Sequence, residues 1–193
     1  MPYIKLEERP KFKEHLKSVI SILTSGNESD YVKGEYFGYF VNRLVRTYLN
    51  DQAGSDPSFN SHSFNESNKQ VLQKSGDHLG ALINRNDPMS SAGDLNYVIS
   101  AVYWGILGAS SEVETANYGT RAYLAGILDK ICSSINSANR GSQRDVAMSF
   151  RRHLVVRGVI QHVLIEEFRR NTSLYENEKI KENGDIWKDG NLV

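Results

Sequence analysis

Cysteine occurs once in 193 residues, at Cys132, which excludes an intramolecular disulfide and any zinc site built on paired cysteines. The residue lies in an apolar helical pattern and reads as core. An excess of charge is missing as well. Lys plus Arg and Asp plus Glu stand at 23 each, so no global field draws the chain to nucleic acid or to an anionic membrane. Any such role must come from a local patch. No apolar run is long enough to span a bilayer, and the start, Met-Pro-Tyr-Ile-Lys-Leu-Glu-Glu-Arg, carries charges where a signal peptide needs apolar residues. The expectation is a soluble, cytoplasmic protein. Sustained two-residue alternation is also absent, which removes the pattern of a half-buried strand.

What remains is helical periodicity. After Pro10, the residues Phe12, Leu16, Val19, Ile20 and Leu23 recur at helical spacing, and Gly26 supplies a stop. A second helix runs through Tyr36, Phe37, Phe40, Val41, Leu44, Val45, Tyr48 and Leu49. From Asp51 to about Asn68 the composition of Ser, Asn, Asp and Gly, with isolated Phe59 and Phe64, predicts a mobile loop. Lys69 to Ile83 read as a short helix interrupted by Gly76 and Gly80, and Asn84 to Ala92, with Asp87-Pro88, as loop. A dense run from Gly93 to Gly108 is apolar round most of its circumference, the mark of a central buried helix, with Trp104 as core. The next helix covers about Tyr118 to Ile135, and the last starts after Gly141-Ser142, with Ser142 as cap, and ends near Arg170. The fold class is therefore all-α: a single-domain bundle of five or six helices carrying a flexible insertion at 51–68.

Recognisable catalytic apparatus is missing. The histidines His15, His62, His78, His153 and His162 lack the spacing of a helical zinc site, and no glycine loop for phosphate and no nucleophile elbow occurs. Carboxylates spaced for a two-metal centre are absent from the apolar helices: Asp94 opens one, and the adjacent Glu166 and Glu167 diverge around the axis. No metal and no cofactor is expected. The positive signal is local charge, with Arg140, Arg144, Arg151, Arg152 and Arg157 against Asp145 alone, and Arg169-Arg170 at the end of the same helix. Arginine's planar fork suits phosphate, and tyrosine offers a stacking face for a base. The plainer reading is a solvated helix face, with Arg169 and Arg170 complementing the negative helix end.

The tail has its own order of charges, turn residues and aromatics. Tyr175, Glu176, Lys179, Asn183 and Asp185 either fold over a pocket or clasp a neighbouring subunit, or else form a helix end and a turn at Asn183-Gly184 anchored by Tyr175 and Trp187. Tyr97 stands between the same two readings, core or ligand contact.

Three blocks together resemble a family of short, functionally uncharacterised proteins of tailed phages and bacterial genomes. They are the Met-Pro-Tyr-Ile start with Phe12, the Gly93-Asp94-Leu95-Asn96-Tyr97 helix opening, and Glu167-Phe168-Arg169-Arg170 followed by Tyr175-Glu176 and by Lys179-Ile180 through Glu182-Asn183-Gly184-Asp185. The resemblance covers about half of the chain, because the family's members lack most of residues 25–92 and 110–142. It implies a small helical protein of phage or prophage origin that self-associates.

Together these readings lead to a non-enzymatic binder of a small phosphorylated ligand, with a nucleotide as the expected one. The candidate contacts are Arg144, Arg151, Arg152, Arg169, Arg170, Tyr97, Tyr175, Asn183 and Asp185. One version is a sponge for a nucleotide signal of antiviral defence. The alternatives are a structural or protein-interaction module and an all-α nucleoside triphosphate pyrophosphohydrolase using Asp94 or Glu167.

Overall fold

The computed structural model describes residues 4–25, 29–50, 64–84, 88–109, 116–138, 146–169, 177–178, 181, 187–188 and 191–192. Among the described residues six α-helices carry the fold: α1 Pro10–Thr24, α2 Asp30–Leu49, α3 Glu66–Asn84, α4 Pro88–Ala109, α5 Ala116–Ala138 and α6 Val146–Glu167. A short 3-10 turn, Leu6–Glu8, precedes them, and the two-residue strands β1 (Trp187–Lys188) and β2 (Asn191–Leu192) pair antiparallel near the end. The class is all-α.

Local chemistry explains the boundaries. Pro10 opens α1, where its missing N–H is no loss. Ser29 caps α2 by accepting from the Val32 amide at 3.4 Å, and Asn50 ends it in the left-handed region at φ 57°. Asn65 caps α3, accepting from the Ser67 and Asn68 amides at 2.9 and 3.4 Å. The proline at 88 also starts a helix, so residues 88–92, expected as loop, belong to α4.

The most extensive packing joins α2 to α3. Tyr39 donates to Gln73, Arg43 and Thr47 bind Asp77, and Asn84 donates to Asn50, so both helices advance together and run parallel. Glycine permits their closeness. A Cβ at Gly76 would lie 3.1 Å from the Phe40 carbonyl oxygen, and one at Gly80 only 2.5 Å from that of Leu44. The two glycines expected to interrupt α3 therefore hold it against α2, and the helix runs unbroken from Glu66. The loop expected to reach residue 68 is overtaken by the same helix, and Phe64 is buried against Tyr36 and Tyr39. Residues 51–63 of that insertion lie outside the described residues, as do Gly26 and the proposed cap Ser142.

Helix α4 runs antiparallel to α2, with Phe37 beside Tyr103 at one end and Tyr48 hydrogen-bonded to Ser91 at the other. It runs parallel to α1, through Lys11 to Asp94, Phe12 to Tyr97 and Ile20 to Gly105. Side chains from all six helices meet in one apolar cluster that includes Phe12, Phe37, Phe40, Leu95, Leu128 and Ile160. Trp104, expected as core, is only half-buried and edge-packed on Tyr103, which is the buried aromatic of the pair. Cys132 is half-buried at the rim of this cluster, and burial pushes its thiol pKa up. Such a thiol is a poor nucleophile.

Candidate functional site

Because α2 and α3 are parallel, their C-terminal ends lie side by side. There they bound an open pocket of about 360 Å³ lined by Thr47, Asn50, Ala81 and Asn84, with Arg152 of α6 completing the wall. The polar groups of the floor engage one another. Asn84 Nδ2 donates to Asn50 Oδ1 at 2.8 Å, and Thr47 Oγ1 donates to Asp77 Oδ1 at 3.0 Å. The same carboxylate accepts two bonds from Arg43, at 3.1 and 2.8 Å. Asn84 Oδ1 is covered from solvent and receives no donor.

Arg152 is the exception to this pairing. Its guanidinium lies 6.0 Å from the centre of the Tyr48 ring, and its covered Nε has no acceptor. No carboxylate pairs with it among the described residues. The electronegative ends of α2 and α3, together with the π face of Tyr48, supply the counter-field that lets a half-buried cation stand without an acid. Its remaining hydrogen-bonding capacity is what the pocket offers to an anionic ligand.

Of the other candidate arginines, Arg151 and Arg169 are described, and neither lines the pocket. Arg151 is exposed on the outer face of α6. Arg169 forms a bidentate pair with Glu166, at 3.1 and 2.8 Å, one turn back on its own helix. Seventeen residues of helix put it about 25 Å from Arg152. Among the described residues Arg151, Arg152 and Arg169 are thus apart, because neighbours in sequence fan out around a helix and distant ones separate along it. Tyr97 does not line the pocket; it packs on Phe12 at 5.9 Å with Arg9 above its ring at 5.4 Å. Arg144, Arg170, Tyr175, Asn183 and Asp185 lie outside the described residues. Thr47, Asn50 and Asn84, which sequence reasoning missed, carry no charge or motif, and a helix-ending Asn was their only signal.

A second polar cluster sits between α4, α5 and α6. The Tyr103 hydroxyl is wholly buried without a hydrogen bond, as is Arg121 Nε, and the Glu167 carboxylate is close enough to act on the phenol. Burial first, and Glu167 second, push the Tyr103 pKa well above its ordinary value. Asp94 is held elsewhere by Lys11 at 2.9 Å. Among the described residues no three His, Cys, Asp or Glu side chains come together to hold a metal ion, and no helix is long and apolar enough to cross a membrane.

A helical bundle with an open polar pocket, walled by a cation that has no acidic partner among the described residues, is the class that fold and site define. Residues 1–186 match the family model described as "Domain of unknown function (DUF6899)", and the chain belongs to that family. No curated protein and no solved structure matches it.

Proposed function

We propose that this protein binds a small phosphorylated ligand, a nucleotide, without turning it over, and that Arg152 receives the phosphate. The observation that carries the reading is the guanidinium of Arg152, half-buried on the 360 Å³ pocket without an acidic partner among the described residues. That volume lies in the range of small-ligand sites. The helix ends on the floor repel anions, so the phosphate meets Arg152 at the outer wall and the nucleoside end lies toward Thr47 and the two asparagines. The resemblance to phage proteins supports a host-cytoplasmic, self-associating sponge for a nucleotide signal of antiviral defence. Sequestration needs a pocket and no catalytic group.

Calorimetry against a panel of cyclic and linear nucleotides tests this. Saturable binding is expected, weakened about tenfold or more in Arg152→Ala by the loss of a charge-assisted contact. Heat denaturation of the complex should release the ligand intact. No heat with any member of the panel removes the reading. Magnesium-dependent product, lost in Asp94→Asn or Glu167→Gln, would instead favour the pyrophosphohydrolase. A protein-interaction role is favoured by one separate observation, the exposed apolar residues Leu154 and Ile165 on α6 and Phe168 just beyond its end.

A further inference from the structure

Helix α6 shows solvent a regular seam. Arg151, Leu154, Gly158, Gln161 and Ile165 of α6, and Phe168 in the π-helical turn that follows it, are all exposed, and their spacing alternates three and four residues, the period of a coiled-coil contact line. The opposite face, Val155, Val156, Val159, Ile160 and Val163, is buried in the chain's own core, so the seam is not needed for folding. Leu154 is 52 % exposed, Ile165 62 % and Phe168 48 %. A Cβ at Gly158 would meet nothing within 4 Å.

We infer that this seam pairs with the same seam of a second copy of the chain, antiparallel, about a two-fold axis at the level of Val159 and Ile160. The pattern is its own complement under that operation, as an isologous interface requires. Leu154 falls opposite Ile165 of the partner subunit, and Ile165 opposite Leu154 of the partner subunit. The missing side chain of Gly158 makes room for Gln161 of the partner subunit. At each end the Arg151 guanidinium covers the ring of Phe168 of the partner subunit, a cation–π contact.

The parallel arrangement lacks each of these fits: it sets Arg151 against Arg151 and leaves a void between two Gly158 residues. The seam positions between Leu154 and Phe168 carry no charge, the exposed Arg157 lies at their flank, and the chain's formal net charge is zero, so two copies meet without general repulsion. Three side chains already about half covered leave much less than the roughly 800 Å² per partner of a standard interface. The dimer is therefore weak and concentration-dependent. Arg152, one residue from the seam, stays on the pocket side, so the pairing does not depend on the ligand reading.

Sedimentation equilibrium of the full chain, from micromolar to millimolar concentration, provides the test. A monomer–dimer equilibrium is expected, and Leu154→Glu combined with Ile165→Glu should raise its dissociation constant about tenfold or more. Circular dichroism should not change, since both side chains are exposed. Cross-linking in a Cys132→Ser background then reads the direction. Leu154→Cys mixed with Ile165→Cys should form a disulfide across the pair, and neither should do so alone. In the antiparallel dimer each cysteine is about 16 Å along the axis from its own copy, beyond disulfide reach. A single mass at every concentration, a dimer indifferent to the two glutamates, or self-cross-linking of Leu154→Cys would overturn the inference. So would association that appears only with an acidic heptad peptide and vanishes at high salt, which would assign the seam to a foreign helix.

Discussion

The seam between α2 and α3 and the outer face of α6 are both organised round glycine, with opposite results. At Gly76 and Gly80 the missing side chain is filled by another helix's backbone, and a Cβ has nowhere to go. At Gly158 it opens on solvent. Their polar groups divide the same way. Tyr39, Arg43, Thr47 and Asn84 each reach a partner across the α2–α3 seam, whereas Arg169, just past the end of α6, is satisfied by Glu166 of that helix and Arg152 by no acid among the described residues. A glycine or an arginine thus has no fixed meaning in a helix; what faces it decides.

The sharpest way to break the comparison is Gly80→Ala. Overlap with the Leu44 carbonyl should lower stability by about 2–3 kcal/mol in urea unfolding, the usual cost of overpacking a rigid site. Unchanged stability would mean that α3 stands farther from α2. A second test is alkaline. Tyr123 donates to Glu35 of α2 at 2.6 Å, and Tyr103 is buried beside Glu167 of α6; burial is the main reason that both phenols titrate above their ordinary range. In the unfolded chain they ionise near pH 10, while the folded chain retains both protons. Stability should therefore fall as pH rises past about 10, because the unfolded state then binds fewer protons. Tyr103→Phe should flatten part of that fall in pH-dependent melts, and an unaltered slope would place the linkage elsewhere.

Smaller effects follow. Arg43→Ala removes the bidentate contact to Asp77, but the pair is 29 % and 35 % exposed, so screening holds the expected loss to about 1 kcal/mol. At concentrations where the chain is monomeric, Gly158→Ala should act in the reverse direction and stabilise by about 0.5–1 kcal/mol, since alanine stiffens the unfolded chain and meets no neighbour within one copy. A thermal shift of the wrong sign there would reveal something packed on the face.

Much of the fold was legible because periodicity reports burial. The apolar girdle of α4 identified a central helix, and the stripes of α1 and α2 returned the buried Phe12, Leu16, Phe37 and Leu44. The failures concern partners, which a one-dimensional pattern does not contain. Gly76 and Gly80 read as breaks because their purpose lies on another helix. Pro88 read as loop although the first turn of a helix accepts proline. Phe64, isolated in a polar stretch, is buried by Tyr36 and Tyr39, far away in sequence. At the pocket, Arg152 was visible as one of several arginines. Nothing in the string separated it from Arg151, because adjacent helical positions differ by a rotation that only packing interprets. Thr47, Asn50 and Asn84 come together solely because α2 and α3 point the same way.

That shared direction also sets a rule for length. Asn65 is bonded to Tyr36, about 21 Å back along α2 from Asn50, so the chain must travel that far between the two helices and no tight turn can join them. An extended strand covers the distance in about seven residues, roughly half of those available from 51 to 64. About seven residues are therefore the floor for this connection, and by chain entropy alone each doubling of its length costs only about 0.6 kcal/mol.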